Sequence, residues 1–144
     1  MSHQISAKND GSLRFTVTHT AQGATVSTDA PAGHGGEGLT FAPTELLDAA
    51  LATCTGANIS AKAKLLGLDA AGLTIGASHV MIDGPRRIGS VELDIAMPFD
   101  ADERRKKSLI ATAKACPVRN TLRAETQIKM TFHWPDGSVD VIDK

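Results

Sequence analysis

The segment Pro43-Thr44-Glu45-Leu46-Leu47-Asp48-Ala49-Ala50-Leu51-Ala52-Thr53-Cys54, running on to about Leu66, constrains the fold more than any other part of the chain. It is the longest apolar, helix-favouring stretch, and it carries one of only two cysteines. Pro43 suits the first turn of a helix, where its missing N–H costs nothing. Glu45 and Asp48 place negative charge near the positive end of the helix dipole, while Lys62 and Lys64 sit near the other end. Gly67 supplies a stop just past the last turn. Leu47, Ala50, Leu51, Cys54, Ala57, Ala61 and Leu65 recur at spacings of three and four, so they are expected to form one stripe facing the core. Gly56, Ser60 and Ala63 keep the flanks small, which suits a central helix that other backbone elements approach closely.

A chain of 144 residues with 42% hydrophobic and 22% charged content is expected to fold as one globular domain, 1–144. Its net charge of -1 gives no reason to expect nucleic acid or an acidic membrane surface as a partner. No apolar run approaches the roughly 18 to 20 residues of a membrane span. Met1-Ser2-His3-Gln4 has no basic and apolar signal pattern, and the expected location is the cytoplasm. Aromatic content of 3%, with no tyrosine, leaves little to build stacking platforms for bases or sugars. The two cysteines stand 62 positions apart without a CxxC, and His3, His19, His79 and His133 show no ligand spacing. A metal site joining His34, Cys54, Cys116 and another histidine is therefore disfavoured, and neither metal nor cofactor is expected. On count alone, two such thiols in a reducing cytosol are inert packing residues.

Along the chain, residues 4–29 read as an antiparallel β-meander. Asn9-Asp10-Gly11 is a hairpin turn signal, after which Leu13, Phe15 and Val17 alternate with Arg14, Thr16 and Thr18. Residues 30–42, with Gly33, Gly35, Gly36 and Gly38, read as a flexible loop delivering His34, Glu37 and Phe41 to the start of the central helix. Gly-His-Gly-Gly-Glu-Gly lacks the lysine of a phosphate-binding loop. A hairpin follows around Gly84-Pro85-Arg86-Arg87, with Val91, Leu93, Ile95 and Met97 on one face. Asp100 with Glu103 suggests a capping box opening a helix from about Ala101 to Ala115. In that helix Glu103 to Lys107 reads as a solvated face, and Leu109, Ile110 and Ala113 as the inner side. Cys116-Pro117 ends it, and Pro117 opens a short helix to Arg123 with Cys116 at its N-terminus. A thiol there is stabilised as thiolate by unpaired N–H groups, with Arg119 and Arg123 nearby in sequence. Ile128, Met130, Phe132 and Trp134 then alternate with polar residues, followed by a Pro135-Asp136-Gly137 turn and Val139 and Val141. Meander, long helix, hairpin, two helices and a C-terminal strand make an α+β fold.

Two blocks carry a family resemblance. Pro43-x-Glu45-Leu46-Leu47-x-Ala49-Ala50-x-Ala52-x-Cys54 resembles the central helix of the OsmC/Ohr family, the osmotically inducible protein C and organic hydroperoxide resistance proteins. Ala113-Lys114-Ala115-Cys116-Pro117-Val118-x-x-Thr121-Leu122 resembles its second cysteine block, and Thr25-Val26-Ser27-Thr28 fits the early strand of the OsmC branch. The resemblance implies an OsmC-like fold and an intertwined homodimer. It implies reduction of organic hydroperoxides through two cysteines in oxidative-stress defence. Cys54 would be the peroxidatic thiol and Cys116 the resolving thiol, with a small dithiol or other reductant reopening their disulfide.

The chain also departs from the peroxidase pattern, which has an arginine in the loop before the helix and a glutamate directly after the opening proline. Here His34 and Thr44 fall at those places, and the glutamate comes one residue later, at Glu45. One residue along a helix turns a side chain by about 100°, and nine residues place Glu45 roughly 13 Å along the axis from Cys54. Glu45 therefore reaches a reactive thiol only across a dimer interface. The candidate catalytic residues are Cys54, Cys116 and Glu45, with His34, Phe41 and Thr44 as candidate substrate contacts. The alternative is a dimeric OsmC-like binding protein without efficient peroxidase activity, its usual charged pair replaced by His34 and Thr44.

Overall fold

A computed structural model describes residues 3–143 of the chain. Met1 and Ser2, part of the stretch read for a targeting signal, lie outside the described residues, as does Lys144. The architecture is α+β, with a long helix between two sheets in the order of the chain. Strands β1 (Ile5–Gly11), β2 (Arg14–His19) and β3 (Thr25–Thr28) precede helix α1 (Pro43–Leu65). The hairpin β4 (Thr74–Ile82) and β5 (Arg87–Ala96) follows, then α2 (Glu103–Lys114), α3 (Pro117–Thr121), β6 (Gln127–His133) and β7 (Val139–Asp143). Two compact units divide the chain, up to Leu47 and from Asp48 onward.

In the first unit β1, β2 and β3 form the antiparallel meander. Its first turn falls at Ser12-Leu13, later than Asn9-Asp10-Gly11, because a bulge between Asn9 and Gly11 carries β1 through to Gly11. Leu13 and Phe15 remain exposed rather than half-buried within this unit. The glycine-rich loop is more ordered than its composition suggests. It holds one turn of 3₁₀ helix at Ala32–His34, and Phe41 bridges to Thr28. Buried Asp29 gathers it: one carboxylate oxygen accepts the backbone N–H groups of Glu37 and Leu39. Gly36 is required here, since a Cβ would stand 1.8 Å from the Ala30 carbonyl oxygen.

In the second unit the sheet order is β4-β5-β6-β7, with β5 and β6 parallel and the other pairs antiparallel. The Pro135-Asp136-Gly137 turn thus closes a hairpin, and the C-terminal strand is a pair of strands. Val91, Leu93 and Ile95 of β5, with Ile128, Met130 and Phe132 of β6, alternate inward and are fully buried. Leu51, Ile59 and Ala63 of α1 and Leu109 and Ala113 of α2 share that core. At Gly56 the helix comes so near β4 that a Cβ would lie 3.2 Å from Ile75 Cδ1.

The buried line of α1 corrects the expected stripe. It runs Asp48, Leu51, Thr55, Ile59 and Ala63, while Ala50, Ala57, Ala61 and Leu65 are exposed. The physical reason is that α1 is small or apolar around most of its circumference, so apolar spacing selects no single face; two polar residues occupy the inner one.

Helix α2 starts later than expected: Asp102, not Asp100, is its N-cap and accepts the Arg105 N–H at 2.8 Å. The charged run that opens it is not wholly solvated. Lys106 is 4% exposed, its ammonium donates to Asp136 at 2.8 Å and to Ser138 Oγ at 2.7 Å, and it lies 5.0 Å from the Trp134 ring centre. A buried ammonium is tolerated because it is fully paired and stacked. This contact ties α2 to the β6–β7 turn.

Lys106, and then the Ser138 hydroxyl and N–H, hold the Asp136 carboxyl well below the usual carboxylate range. A depressed folded-state value gives stability that is complete above the unfolded value, about pH 4, and lost as pH falls below it. The stability advantage of the wild type over Asp136→Asn should be constant from about pH 5 to 7 and shrink below about pH 4. Urea unfolding across that range checks it; an advantage that holds steady down to pH 2 would contradict the ion pair.

Candidate functional site

Helix α1 places Cys54 near its middle, and the turn between α2 and α3 places Cys116 beside it. Cys116 is the N-cap of α3, where Pro117 at the first helical position leaves the following N–H groups directed back toward the cap. Both cysteines are free thiols; Cys54 is half-buried and Cys116 completely buried. Cys54 packs on the core cluster that includes Cys116, and the two thiols are near enough for each to act on the acidity of the other.

The pair is asymmetric. For Cys54 the strongest single influence, the Val118 N–H, favours the thiolate. The Cys116 thiol, burial and the charge of the Cys116 thiolate outweigh it, and the Cys54 thiol is pushed up. For Cys116 burial acts upward, but the Arg119 N–H, the Cys54 thiol, the Thr55 hydroxyl and the Val118 N–H together bring it below the ordinary cysteine value. Between the two sulfurs these influences favour the thiolate on Cys116 over that on Cys54. The Arg119 guanidinium donates to the Lys114 carbonyl at 3.3 Å.

The other candidate residues lie in the first unit. His34 closes the 3₁₀ turn, and Phe41 is half exposed. Thr44 and Glu45 open α1, where the Glu45 carboxylate accepts the Ala42 N–H at 2.7 Å and so caps the helix. Sequence reasoning passed over Arg14, which pairs with Glu37 and lies 3.7 Å from Asp29. An arginine–glutamate pair therefore exists, made from residues 23 positions apart. Only the register of β2 against the loop brings it together, so no local motif announces it. Thr55, fully buried on the inner line of α1, was also passed over, since Thr53 puts an equal hydroxyl on the other side of Cys54 and nothing local tells the two apart.

A second polar contact sits further toward the start of the same buried helix line. His79 Nδ1 on β4 donates to Asp48 Oδ2 at 2.5 Å, and both side chains are largely buried. Asp48 Oδ1 is buried without a hydrogen-bond partner. Among the described residues no group of three or more His, Cys, Asp or Glu side chains is arranged to hold a metal ion. Nor is any described helix long and apolar enough to cross a membrane.

Fold and site together define an α+β protein built around two neighbouring free thiols. The OsmC-like protein family profile matches residues 34–131. A solved structure from Psychrobacter arcticus 273-4, named for osmotic stress induction and detoxification response, is 31% identical with a TM-score of 0.88, covering 92% of this chain and 97% of that one. The organic hydroperoxide resistance protein OsmC of Legionella pneumophila is 20% identical with a TM-score of 0.72, covering 89% and 93%. An organic hydroperoxide resistance protein from Vibrio cholerae, with captopril bound in one of its active sites, is 18% identical with a TM-score of 0.72, covering 97% and 96%. No curated protein matches the chain. The chain belongs to the OsmC family.

Replacing His79 by Leu leaves a buried carboxylate with no partner on either oxygen. The expected cost is about 1–3 kcal/mol, the penalty for an unsatisfied buried acceptor. The double variant Asp48→Leu/His79→Leu removes the stranded charge and should recover much of that loss. Urea midpoints of the three proteins decide it; a double variant less stable than the single one overturns the pairing argument.

Proposed function

We propose that this protein reduces organic hydroperoxides with the Cys54–Cys116 pair, drawing its electrons from a dithiol. The observation that carries the reading is the pairing of two free thiols, 62 positions apart in sequence, beside the unpaired N–H groups that open α3. Cys54, the more exposed sulfur, attacks the outer peroxide oxygen as thiolate. The O–O bond breaks, the alkoxide leaves and takes up a proton as alcohol, and Cys54 becomes a sulfenic acid. The Cys116 sulfur then attacks Cys54, hydroxide departs to form water, and a disulfide closes. A dithiol reopens it by exchange and is itself oxidised to its disulfide. Two electrons pass from the thiols to the peroxide in each turnover.

The proposal includes the arrangement that family membership suggests. The whole chain, 1–144, acts as one OsmC-like domain in an intertwined homodimer in the cytoplasm. Glu45 assists catalysis across the dimer interface, and His34, Phe41 and Thr44 meet the substrate.

A second reading, a dimeric binding protein with little turnover, is favoured by two features of the same residues. The Glu45 carboxylate is already engaged by the Ala42 N–H, and the Cys54 thiol is pushed up rather than down. Steady-state reduction of cumene hydroperoxide or tert-butyl hydroperoxide with dithiothreitol separates the readings. The peroxidase reading expects wild-type rates at least about 100-fold above those of Cys54→Ser, the scale of losing a reacting nucleophile. Equal rates in the two proteins support the binding reading instead.

A further inference from the structure

The second unit holds a cleft that the thiol chemistry does not use. It measures about 360 Å³ and is lined by Lys62 and Leu66 at the end of α1 and by Asp102, Arg104, Arg105 and Ser108 at the start of α2. Lys62 stands eight residues past Cys54, about 12 Å along the helix axis. Three cations line the cleft against one carboxylate, in a chain whose net charge is -1. That carboxylate is engaged locally: one Asp102 oxygen accepts the Arg105 N–H at 2.8 Å, and the other lies 3.9 Å from Arg105 Nε. Among the described residues no acid pairs with Lys62 or Arg104. The two arginines also occupy the first turn of α2, where the helix dipole favours acids and disfavours cations. Lys106, in the same run, is turned about 200° from Arg104 and has its own partners in Asp136 and Ser138. Arg104 and Arg105 instead stand four and three residues before Ser108, so the three share one side of the helix. Like charges gathered without acids repel, and an anion between them removes that cost.

We propose that this cleft binds a small phosphate monoester. Three cations less one carboxylate leave two positive charges, which balance a phosphate dianion rather than a monocarboxylate. The Arg104 and Arg105 guanidinium groups are planar forks of donors that fit phosphate oxygens, and the Lys62 ammonium adds a point charge. The Ser108 hydroxyl supplies a further donor. A volume of about 360 Å³ lies in the range of small-molecule sites, and Leu66 gives the cleft an apolar wall, so the phosphate carries an organic group. Bound there, it ties the end of α1 to the start of α2. The site is independent of the hydroperoxide reading.

The test is calorimetric titration of the whole chain with phenyl phosphate at low ionic strength, with inorganic phosphate and benzoate for comparison. Phenyl phosphate is expected to bind at one site per chain with a Kd of about 1 mM or tighter. It should bind more tightly than inorganic phosphate, and benzoate should bind more weakly than either. Lys62→Gln and Arg104→Gln should each weaken it about tenfold or more, the scale of one charge-assisted hydrogen bond. Lys129→Gln removes the same charge from an exposed lysine on β6 and should leave the affinity within about twofold, as screening of distant charges requires. Asp102→Asn keeps a capping side chain on α2, removes the one acid from the cleft and should tighten binding. Circular dichroism confirms that each variant is folded, and the gain expected of Asp102→Asn cannot come from lost structure. Absence of binding at about 10 mM phenyl phosphate overturns the proposal. So does a loss in Lys129→Gln equal to that in Arg104→Gln, or weaker binding by Asp102→Asn. Inorganic phosphate or benzoate binding as tightly as phenyl phosphate overturns the assignment to a phosphate monoester. No arm of the titration reads turnover, so each result stands apart from the hydroperoxide reading.

Discussion

The N–H groups that open α3 are donors without helical partners, because an α-helix leaves its first turn unpaired. Pro117 starts that helix, and Cys116 stands at its N-cap, the position a serine or aspartate commonly holds, without a side-chain capping bond of its own. Burial in the core removes water as a competing partner. What remains is the thiol itself and the groups α1 presents, Cys54 and Thr55.

That contact depends on the core around it. The second unit buries one line of α1 and one face of α2 on the β5–β6 pair, which fixes the middle of α1 and the end of α2 against the same sheet. Leu109 and Ala113 hold α2 in rotation, Lys106 anchors its first turn to the β6–β7 turn, and the chain then has two residues in which to reverse into α3. Gly56, directly after Cys54 and Thr55, admits Ile75 to the helix surface and sets how near β4 can lie.

Much of this was legible in the residues. Alternation in Val91 to Met97 and Ile128 to Trp134 marked the core strands, because a half-buried strand writes its geometry at period two. The two cysteine blocks marked the family and the two thiols that the fold brings near each other. Less was legible where the partner is remote. Lys106 sits in a run of six charges, Asp102 to Lys107, and only Asp136 and Trp134, about thirty residues on, make it a buried residue. The inner face of α1 was misjudged because alanine and glycine carry too little hydrophobicity to name a side. Arg14 was read only as the polar side of an alternating strand, and Thr55 drew no notice; their surroundings are supplied by tertiary packing alone.

The central claim is that Cys54 and Cys116 form one redox couple, and peptide mapping without reductant after one equivalent of cumene hydroperoxide tests it most directly. The account expects a single Cys54–Cys116 linked peptide within the chain, with the two free thiols lost together. Two thiols still free, or Cys54 carried on to sulfinic acid while Cys116 stays reduced, would contradict it.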